Sequence, residues 1–174
     1  MSRPYSAALP VAYVVLRILV VLNWLSAIPI TALIVATIVD ERWTLTALGI
    51  HPDSWIASSM IGLRAIAILG ICAVPLYHAI FVRLIAIVRT VRAGDPFVAV
   101  NAVRLQAIAW VLLALQLLAL VIGTIGKAIS TPANPVHLNA GFSTTGWLSV
   151  ILMFVLARIF AEGTRMRDDL EGTV

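Results

Sequence analysis

Residues 105–126 read LQAIAWVLLALQLLALVIGTIG, an apolar stretch of 22 residues without a charged side chain. Three more uncharged stretches, of 22, 18 and 20 residues, lie at 18–39, 65–82 and 138–157. A bilayer core of about 30 Å requires roughly 20 helical residues, so each stretch can cross it once. Only a helix satisfies its own backbone hydrogen bonds in lipid, and the alternation typical of strands is absent. The sequence therefore predicts an all-α fold, an integral membrane four-helix bundle.

The composition of the whole chain favours the same class. Of the 174 residues, 61% are apolar and 11% are charged, whereas soluble domains have roughly 45–50% and about 25%. A soluble fold would have to cover a large apolar surface with very few charges, and lipid removes that requirement. We expect a single domain with spans at about 12–39, 56–82, 104–127 and 143–161, a connection at 83–103 and a tail at 162–174.

The orientation follows from arginine and lysine, which are enriched on the cytoplasmic side of membrane proteins. The N-terminal segment, the middle connection and the tail carry nine of them: Arg3, Arg17, Arg83, Arg89, Arg92, Arg104, Arg158, Arg165 and Arg167. The two other connections carry Arg42 and Lys127, with Arg64 at the edge of the second span. We therefore expect both termini and the middle connection in the cytoplasm.

The middle connection is the most informative polar segment. Residues 83–92 keep a helical spacing with arginines on one face, which predicts that the second span continues as an amphipathic helix. Gly94, Asp95 and Pro96 then break this helix. Asp95, with Pro96 at the first helical position, is suited to cap the next helix, and Asn101 is an alternative cap.

The remaining polar segments are short. Both outer connections are predicted to be loops, each with room for a short helical turn. In the tail, arginines precede acids at i,i+4, a spacing that supports a short and partly frayed helix continuing the fourth span. These pairs are Arg158–Glu162, Arg165–Asp169 and Arg167–Glu171.

Few side chains within the spans offer chemistry. No span contains Asp, Glu or Lys within its uncharged stretch, with Lys127 only at the end of the third span. These are the groups that ion-coupled transporters place inside the bilayer. Asn23 and Gln116 lie deepest, and interhelical hydrogen bonds are the simplest interpretation of both. Arg17 and Arg64 border their stretches and are expected to extend to the two interfaces. Gly62 and Gly123 belong to small-xxx-small pairs, which favour close helix packing over a dimer interface.

No catalytic, cofactor or metal pattern is present. Cys72 has no activating neighbour in the sequence, and no Ser, His and acid occur at a suggestive spacing. His51, Asp53 and His137 share the predicted outer side, and imidazole and carboxylate groups suit zinc, but their spacing is not that of a ligand set. We expect no enzyme and no cofactor.

Two segments on the predicted cytoplasmic side carry a family resemblance. RAGDPFVAVNAVRLQ at 92–106 and FAEGTRMRDDLEGTV at 160–174 resemble the YoaS-like family, a bacterial domain-of-unknown-function family of small four-span membrane proteins. The likeness is carried by Pro96, Phe97, Asn101, Arg104, Leu105, Phe160, Gly163, Arg167, Leu170, Thr173 and Val174. It implies a multi-pass protein of the bacterial inner membrane. Genes of that family often lie beside one for a small helix-turn-helix DNA-binding regulator, which implies such a partner.

Two functions remain open on this basis. In the first, a cytoplasmic surface formed by 94–104 and 158–174 holds the regulator at the membrane, and the chain itself does not contact nucleic acid. The candidate contacts are Asp95, Phe97, Asn101, Arg104, Arg165, Arg167, Asp168 and Asp169, whose mixed charges suit a basic DNA-binding protein. Alternatively, Phe97 only fills the inner end of the bundle.

The second function is that of a small oligomeric permease, channel or lipid-binding protein. A polar path formed by Asn23, Gln116, Thr144 and Thr145 would favour it, whereas a dry core would count against it.

Overall fold

The fold consists of helices. The computed structural model describes residues 8–47, 56–130 and 140–171. It contains five helices in this part of the chain: α1 (Ala8–Val39), α2 (Glu41–Ala47), α3 (Ile56–Arg92), α4 (Ala99–Ile129) and α5 (Thr144–Glu171). By length and composition, four of them are able to cross a membrane, namely α1, α4, most of α3 and the first 24 residues of α5. The all-α fold with four long apolar helices is therefore confirmed.

The exposed surface of these helices is apolar. Thr37 is the one buried residue of α1, while valine, leucine and isoleucine side chains are exposed from Val11 to Val39. Exposure of such surface to water costs about 25 cal/mol per Å², and a hydrocarbon environment removes that cost. The chain is thus a multi-pass membrane protein.

The described residues form two compact units. Unit 1 contains residues 8–23, 76–113 and 144–171, and unit 2 contains 24–47, 56–75, 114–130 and 140–143. The apolar core of unit 1 consists of Ile80, Ile85, Ala102, Leu105, Ile108, Ala109, Val150 and Ala157. That of unit 2 consists of Met60, Ala67, Val74 and Leu115. The candidate partner-binding residues all belong to unit 1.

In unit 2, a short helix follows α1. The Asp40 carboxylate caps α2 by accepting a hydrogen bond from the backbone N–H of Trp43 at 2.9 Å, and the buried Thr44 hydroxyl donates to the Asp40 carbonyl at 2.7 Å. This helix agrees with the helical turn expected in the first outer connection. His51, Asp53 and His137, which are predicted to share the outer side, lie outside the described residues.

Unit 2 also contains very close packing at two glycines. A Cβ atom at Gly123 would lie 2.6 to 2.8 Å from backbone atoms of Ala140 and Gly141. A Cβ atom at Gly62 would overlap the side chain of Ile129. Both glycines are buried, and both contacts lie within the chain, as the packing interpretation of the small-residue pairs predicts.

In unit 1, the middle connection begins as the sequence predicts. α3 continues to Arg92 and ends in a glycine C-cap, in which Gly94 has a φ of +88°. The N–H of Gly94 bonds to the Val91 carbonyl and the N–H of Asp95 to the Thr90 carbonyl, both at 3.1 Å. This pair of bonds is the Schellman arrangement, and the left-handed conformation that it requires suits glycine.

The predicted start of the next helix is wrong. α4 begins at Ala99, so Asp95 and Pro96 precede it and Asn101 lies within its first turn. Neither side chain caps the helix, because each has a different partner. Asp95 pairs with α5, and the Asn101 amide donates back to the connection and to α3.

Candidate functional site

Asn101 is the centre of a hydrogen-bond network in unit 1. Its side chain is fully buried, and Nδ2 donates to the Thr90 hydroxyl at 2.6 Å and to the Pro96 carbonyl at 2.9 Å. Its Oδ1 accepts from Nη1 of Arg104 at 2.9 Å. These bonds join the end of α3, the connection and the first turns of α4. The structure thus places Asn101 where a partner protein could not reach it.

The connection is also tied to α5 through Asp95 and Phe97. The Asp95 carboxylate accepts a hydrogen bond from the guanidinium of Arg167, 72 residues away. The ring of Phe97 packs on Phe160, with 5.2 Å between centroids and 33° between the ring planes. Gly163 makes room for this ring, since a Cβ there would lie 3.2 and 3.3 Å from its carbons. Phe97 nevertheless remains 43% exposed.

One of the three predicted tail pairs, Arg158–Glu162, does not form. Arg165 pairs with Glu162 at 3.9 Å, at i,i+3, instead of the expected Arg158–Glu162 pair. Both partners are more than half exposed, and such pairs contribute little to stability. Asp169 is exposed, and the side chain of Asp168 lies outside the described residues.

A groove between α4 and α5 was not predicted. Its volume is about 490 Å³, and its lining includes Ala99, Ala102, Ala157 and Ala161, with the arginines Arg158 and Arg165. The sequence does contain an indication of this groove, because Ala99 and Ala102 are spaced i,i+3 and Ala157 and Ala161 are spaced i,i+4, so that each pair lies on one side of its helix. Pairing α4 with α5 along this face required the structure.

A cluster of arginines around Tyr13 was missed as well. The Tyr13 hydroxyl accepts hydrogen bonds from Nη2 of Arg17 at 3.1 Å and from Nη2 of Arg89 at 3.3 Å. The Cζ atoms of Arg17, Arg89 and Arg92 lie 5.5, 5.7 and 5.7 Å from the centroid of its ring. We expected Arg17 only to extend toward the interface, and its contact with Tyr13 brings it instead to two arginines of α3.

The polar side chains inside the spans have unequal surroundings. Oε1 of Gln116 is buried and has no hydrogen-bond partner among the described residues, although the sequence predicts an interhelical bond there. Asn23 is partly buried in α1. Arg64 donates to the Thr37 carbonyl, while its Nε atom is buried without a partner. Both residues of this Arg64 contact lie in unit 2.

No metal centre is formed by the residues that the structure describes, since no group of three or more His, Cys, Asp or Glu side chains lies close enough together. Cys72 is an exposed free thiol. What unit 1 offers instead is a partly apolar surface with charges of both signs, and a cluster of arginines.

Comparison with known proteins gives one match. A family model described as "Protein of unknown function (DUF2975)" matches residues 6–174. Neither the curated proteins nor the solved structures include a match. The match agrees with the expectation of a family of unknown function, while the YoaS-like designation stays a resemblance.

Proposed function

The chain belongs to the DUF2975 family, and we propose that it is a membrane anchor that holds a small helix-turn-helix DNA-binding regulator at the cytoplasmic face. The observation that supports this most is the attachment of the connection to α5 through Asp95–Arg167 and Phe97–Phe160. These contacts join two segments that are distant in sequence into one surface on unit 1.

We define the anchor surface by the exposed side chains Phe97 of the connection and Arg165, Met166 and Asp169 of α5. At about 100° per residue, Met166 is the one of the three α5 residues that lies nearest to the side of the helix that holds Phe97. Phe97 is 43% exposed and Met166 is 57% exposed. Aromatic residues, Met and Arg are the types enriched at protein interfaces. A surface whose backbone is already fixed loses less conformational entropy when a partner binds. The surface is therefore suited to a reversible interaction with a second protein.

The remaining candidate residues have a supporting role in this proposal. Asn101 is buried, and Arg104, Asp95 and Arg167 bond to other parts of the same unit. Their hydrogen-bonding groups are directed at this chain, so they hold the surface in place and do not bind the regulator directly. The proposal is thus narrower than the surface predicted from sequence.

The experiment is co-purification of the full chain with the regulator encoded by the adjacent gene. Deletion of 163–174 would also remove Gly163 and Arg167, which hold the connection, so single exposed side chains are the better targets. We expect Met166→Asp to weaken capture at least ten-fold, as loss of an interface hot spot does. Arg42→Glu, a charge change on the predicted outer side, is the control and should leave capture unchanged.

Two outcomes would contradict the anchor. Capture of the regulator at the wild-type level by Met166→Asp would exclude this surface. Absence of any complex with the wild-type chain would exclude this partner. Monodispersity and helix content of each variant show whether a loss of capture reflects binding or misfolding.

The second candidate is a small oligomeric permease, channel or lipid-binding protein, and Gln116 supports it. A buried oxygen without a partner in the middle of an apolar helix costs about 1–3 kcal/mol, and a substrate or a neighbouring copy would satisfy it. We expect Gln116→Leu to abolish any such transport or association in proteoliposomes. If the variant is only more stable and otherwise unchanged, this candidate fails.

A further inference from the structure

We propose that unit 1 carries a site for one anionic phospholipid, formed by α1 and α3 and independent of the anchor surface. The headgroup phosphate binds to the guanidinium groups of Arg17, Arg89 and Arg92 beside the Tyr13 hydroxyl. One acyl chain lies along an apolar groove of α1 that begins at the same tyrosine.

The geometry of the headgroup site follows from the tyrosine. Arg17 and Arg89 both donate to its hydroxyl, at 3.1 and 3.3 Å, and all three arginines lie within 5.7 Å of its ring centroid. The phenol therefore gathers the guanidinium groups of two helices at one place. Guanidinium groups present paired N–H donors that match two phosphate oxygens, which makes such a cluster a phosphate site.

Among the described residues, the charges of this cluster have no acidic partner. α1 and α3 contain no Asp or Glu at all. No described carboxylate lies within 4.0 Å of the guanidinium groups of Arg17, Arg89 and Arg92. Three cations held around one ring repel each other, and the repulsion grows where lipid lowers the dielectric constant. A bound anion removes this cost.

The apolar groove identifies the anion as a lipid. It has a volume of about 350 Å³ and is lined by Tyr13, Val14, Arg17, Ile18, Val21 and Leu22. At 1.5 Å per residue, the lining from Tyr13 to Leu22 extends about 14 Å along α1, which accommodates much of an acyl chain. Arg17 belongs to both the cluster and the groove, so a headgroup and its chain reach both at once. A zwitterionic phospholipid also carries a phosphate, but its cationic amine offsets that charge, so it neutralises the arginines less than an anionic lipid does.

Native mass spectrometry of the full chain in a neutral detergent tests the proposal. The protein is titrated with phosphatidylglycerol and, separately, with phosphatidylcholine that carries the same acyl chains. We expect the wild type to bind phosphatidylglycerol more tightly, and Arg17→Gln/Arg89→Gln/Arg92→Gln to bind both lipids equally. No preference in the wild type, or an undiminished preference in the folded triple variant, would overturn the site.

A single variant keeps the test decisive if the triple variant does not fold. Arg92 contacts the tyrosine ring but donates no hydrogen bond to its hydroxyl among the bonds described, so Arg92→Gln leaves the Arg17 and Arg89 bonds in place. We expect it to reduce the preference about five-fold, the effect of one arginine near an anionic lipid surface. No reduction with Arg92→Gln would contradict the proposal.

Arg83→Gln is the matched control. Arg83 lies on the same helix and donates to the Ala79 carbonyl of that helix at 2.8 Å, so its removal changes net charge equally without changing the cluster. An equal loss of preference in this variant would show a general charge effect and overturn the site. Excess inorganic phosphate should leave the lipid preference intact, and complete displacement by it would show an anion site without a lipid.

Discussion

The interactions within unit 1 differ in kind from those within unit 2. Unit 1 contains side-chain bonds between distant segments, at Tyr13, Asn101 and Asp95. Unit 2 contains close backbone approach at glycines, most of all at Gly123. Hydrogen bonds fix one arrangement of helices because their geometry is demanding, whereas close packing depends on the absence of a side chain. Substitutions should therefore disturb the two units in different ways.

The largest effect is expected in unit 2, at Gly123. Gly123→Ala places a Cβ against backbone atoms of Ala140 and Gly141, which cannot rotate away as a side chain can. We expect the free energy of unfolding in mixed micelles to fall by about 3 kcal/mol, the upper end of the usual cost of overpacking.

Gly70→Ala is the matched control for Gly123→Ala. A Cβ at Gly70 would meet Ile30 at 3.8 Å, an ordinary van der Waals contact. The unfolding free energy of this variant should change by no more than about 0.5 kcal/mol or rise slightly, since alanine favours a helix. Equal losses in the two variants would show that close backbone approach does not stabilise unit 2.

In unit 1, the largest effect is expected at Asn101. Asn101→Ala leaves the Thr90 hydroxyl, the Pro96 carbonyl and Arg104 without their shared partner. A buried network that loses one member costs about 1–3 kcal/mol, measured as the free energy of unfolding. Gln106→Ala changes an exposed amide of the same helix and should alter stability by less than about 0.5 kcal/mol. If the two variants have the same free energy of unfolding, the Asn101 network does not contribute substantially to stability.

A smaller effect is expected at the ring of Phe97. Phe97→Leu keeps an apolar side chain but loses the contact of two rings, worth about 0.5–1.5 kcal/mol beyond burial. Protease sensitivity of the connection should rise, because Phe97 helps to hold it against α5. The corresponding change at Phe142, exposed in unit 2, should have no effect. If the protease sensitivity of the connection is unchanged in Phe97→Leu, the contact between Phe97 and Phe160 does not hold the connection against α5.

The smallest effect is expected at the ion pair of Asp95 with Arg167. Its side chains are 42% and 45% exposed, so solvent screens the attraction, and Asp95→Asn should cost less than about 1 kcal/mol. The loss should shrink further in high salt. Asp95→Arg with Arg167→Asp should recover most of the stability lost in either single reversal. Failure of this recovery would indicate that Asp95 acts through its local backbone and not through Arg167.

The sequence predicts which segments form helices, but it does not predict which side chains of different helices contact each other. Hydrophobic length predicted the four long helices, and the spacing of arginines predicted the continuation of α3 to Arg92. The sequence predicts Asp95 and Asn101 as caps because both are good capping residues. In the structure, Asp95 bonds instead to Arg167 of α5, and Asn101 bonds to Thr90 of α3 and to Pro96 of the connection. Which helix faces Tyr13 depends on tertiary packing, and no local pattern in the sequence contains that information.

The candidate site remains a prediction, and the surroundings of its residues could not be predicted from the sequence. Phe97, Arg165 and Asp169 remain exposed, whereas the buried Asn101 and the paired Asp95 and Arg167 support the surface. The arginine cluster could have been suspected from three cations on two helices that lack any acid. The distances within the cluster, and the groove beside it, could not have been predicted from the sequence.

The central prediction is that the ends of the four spans beside Arg17, Arg83, Arg104 and Arg158 face the cytoplasm. Cysteine labelling in intact cells tests it most directly. In a Cys72→Ala background, Lys127→Cys and Arg165→Cys are treated with a membrane-impermeant maleimide. We predict that position 127 reacts in intact cells and that position 165 reacts only after permeabilisation. Labelling of position 165 from outside, or of position 127 only from inside, would contradict the account.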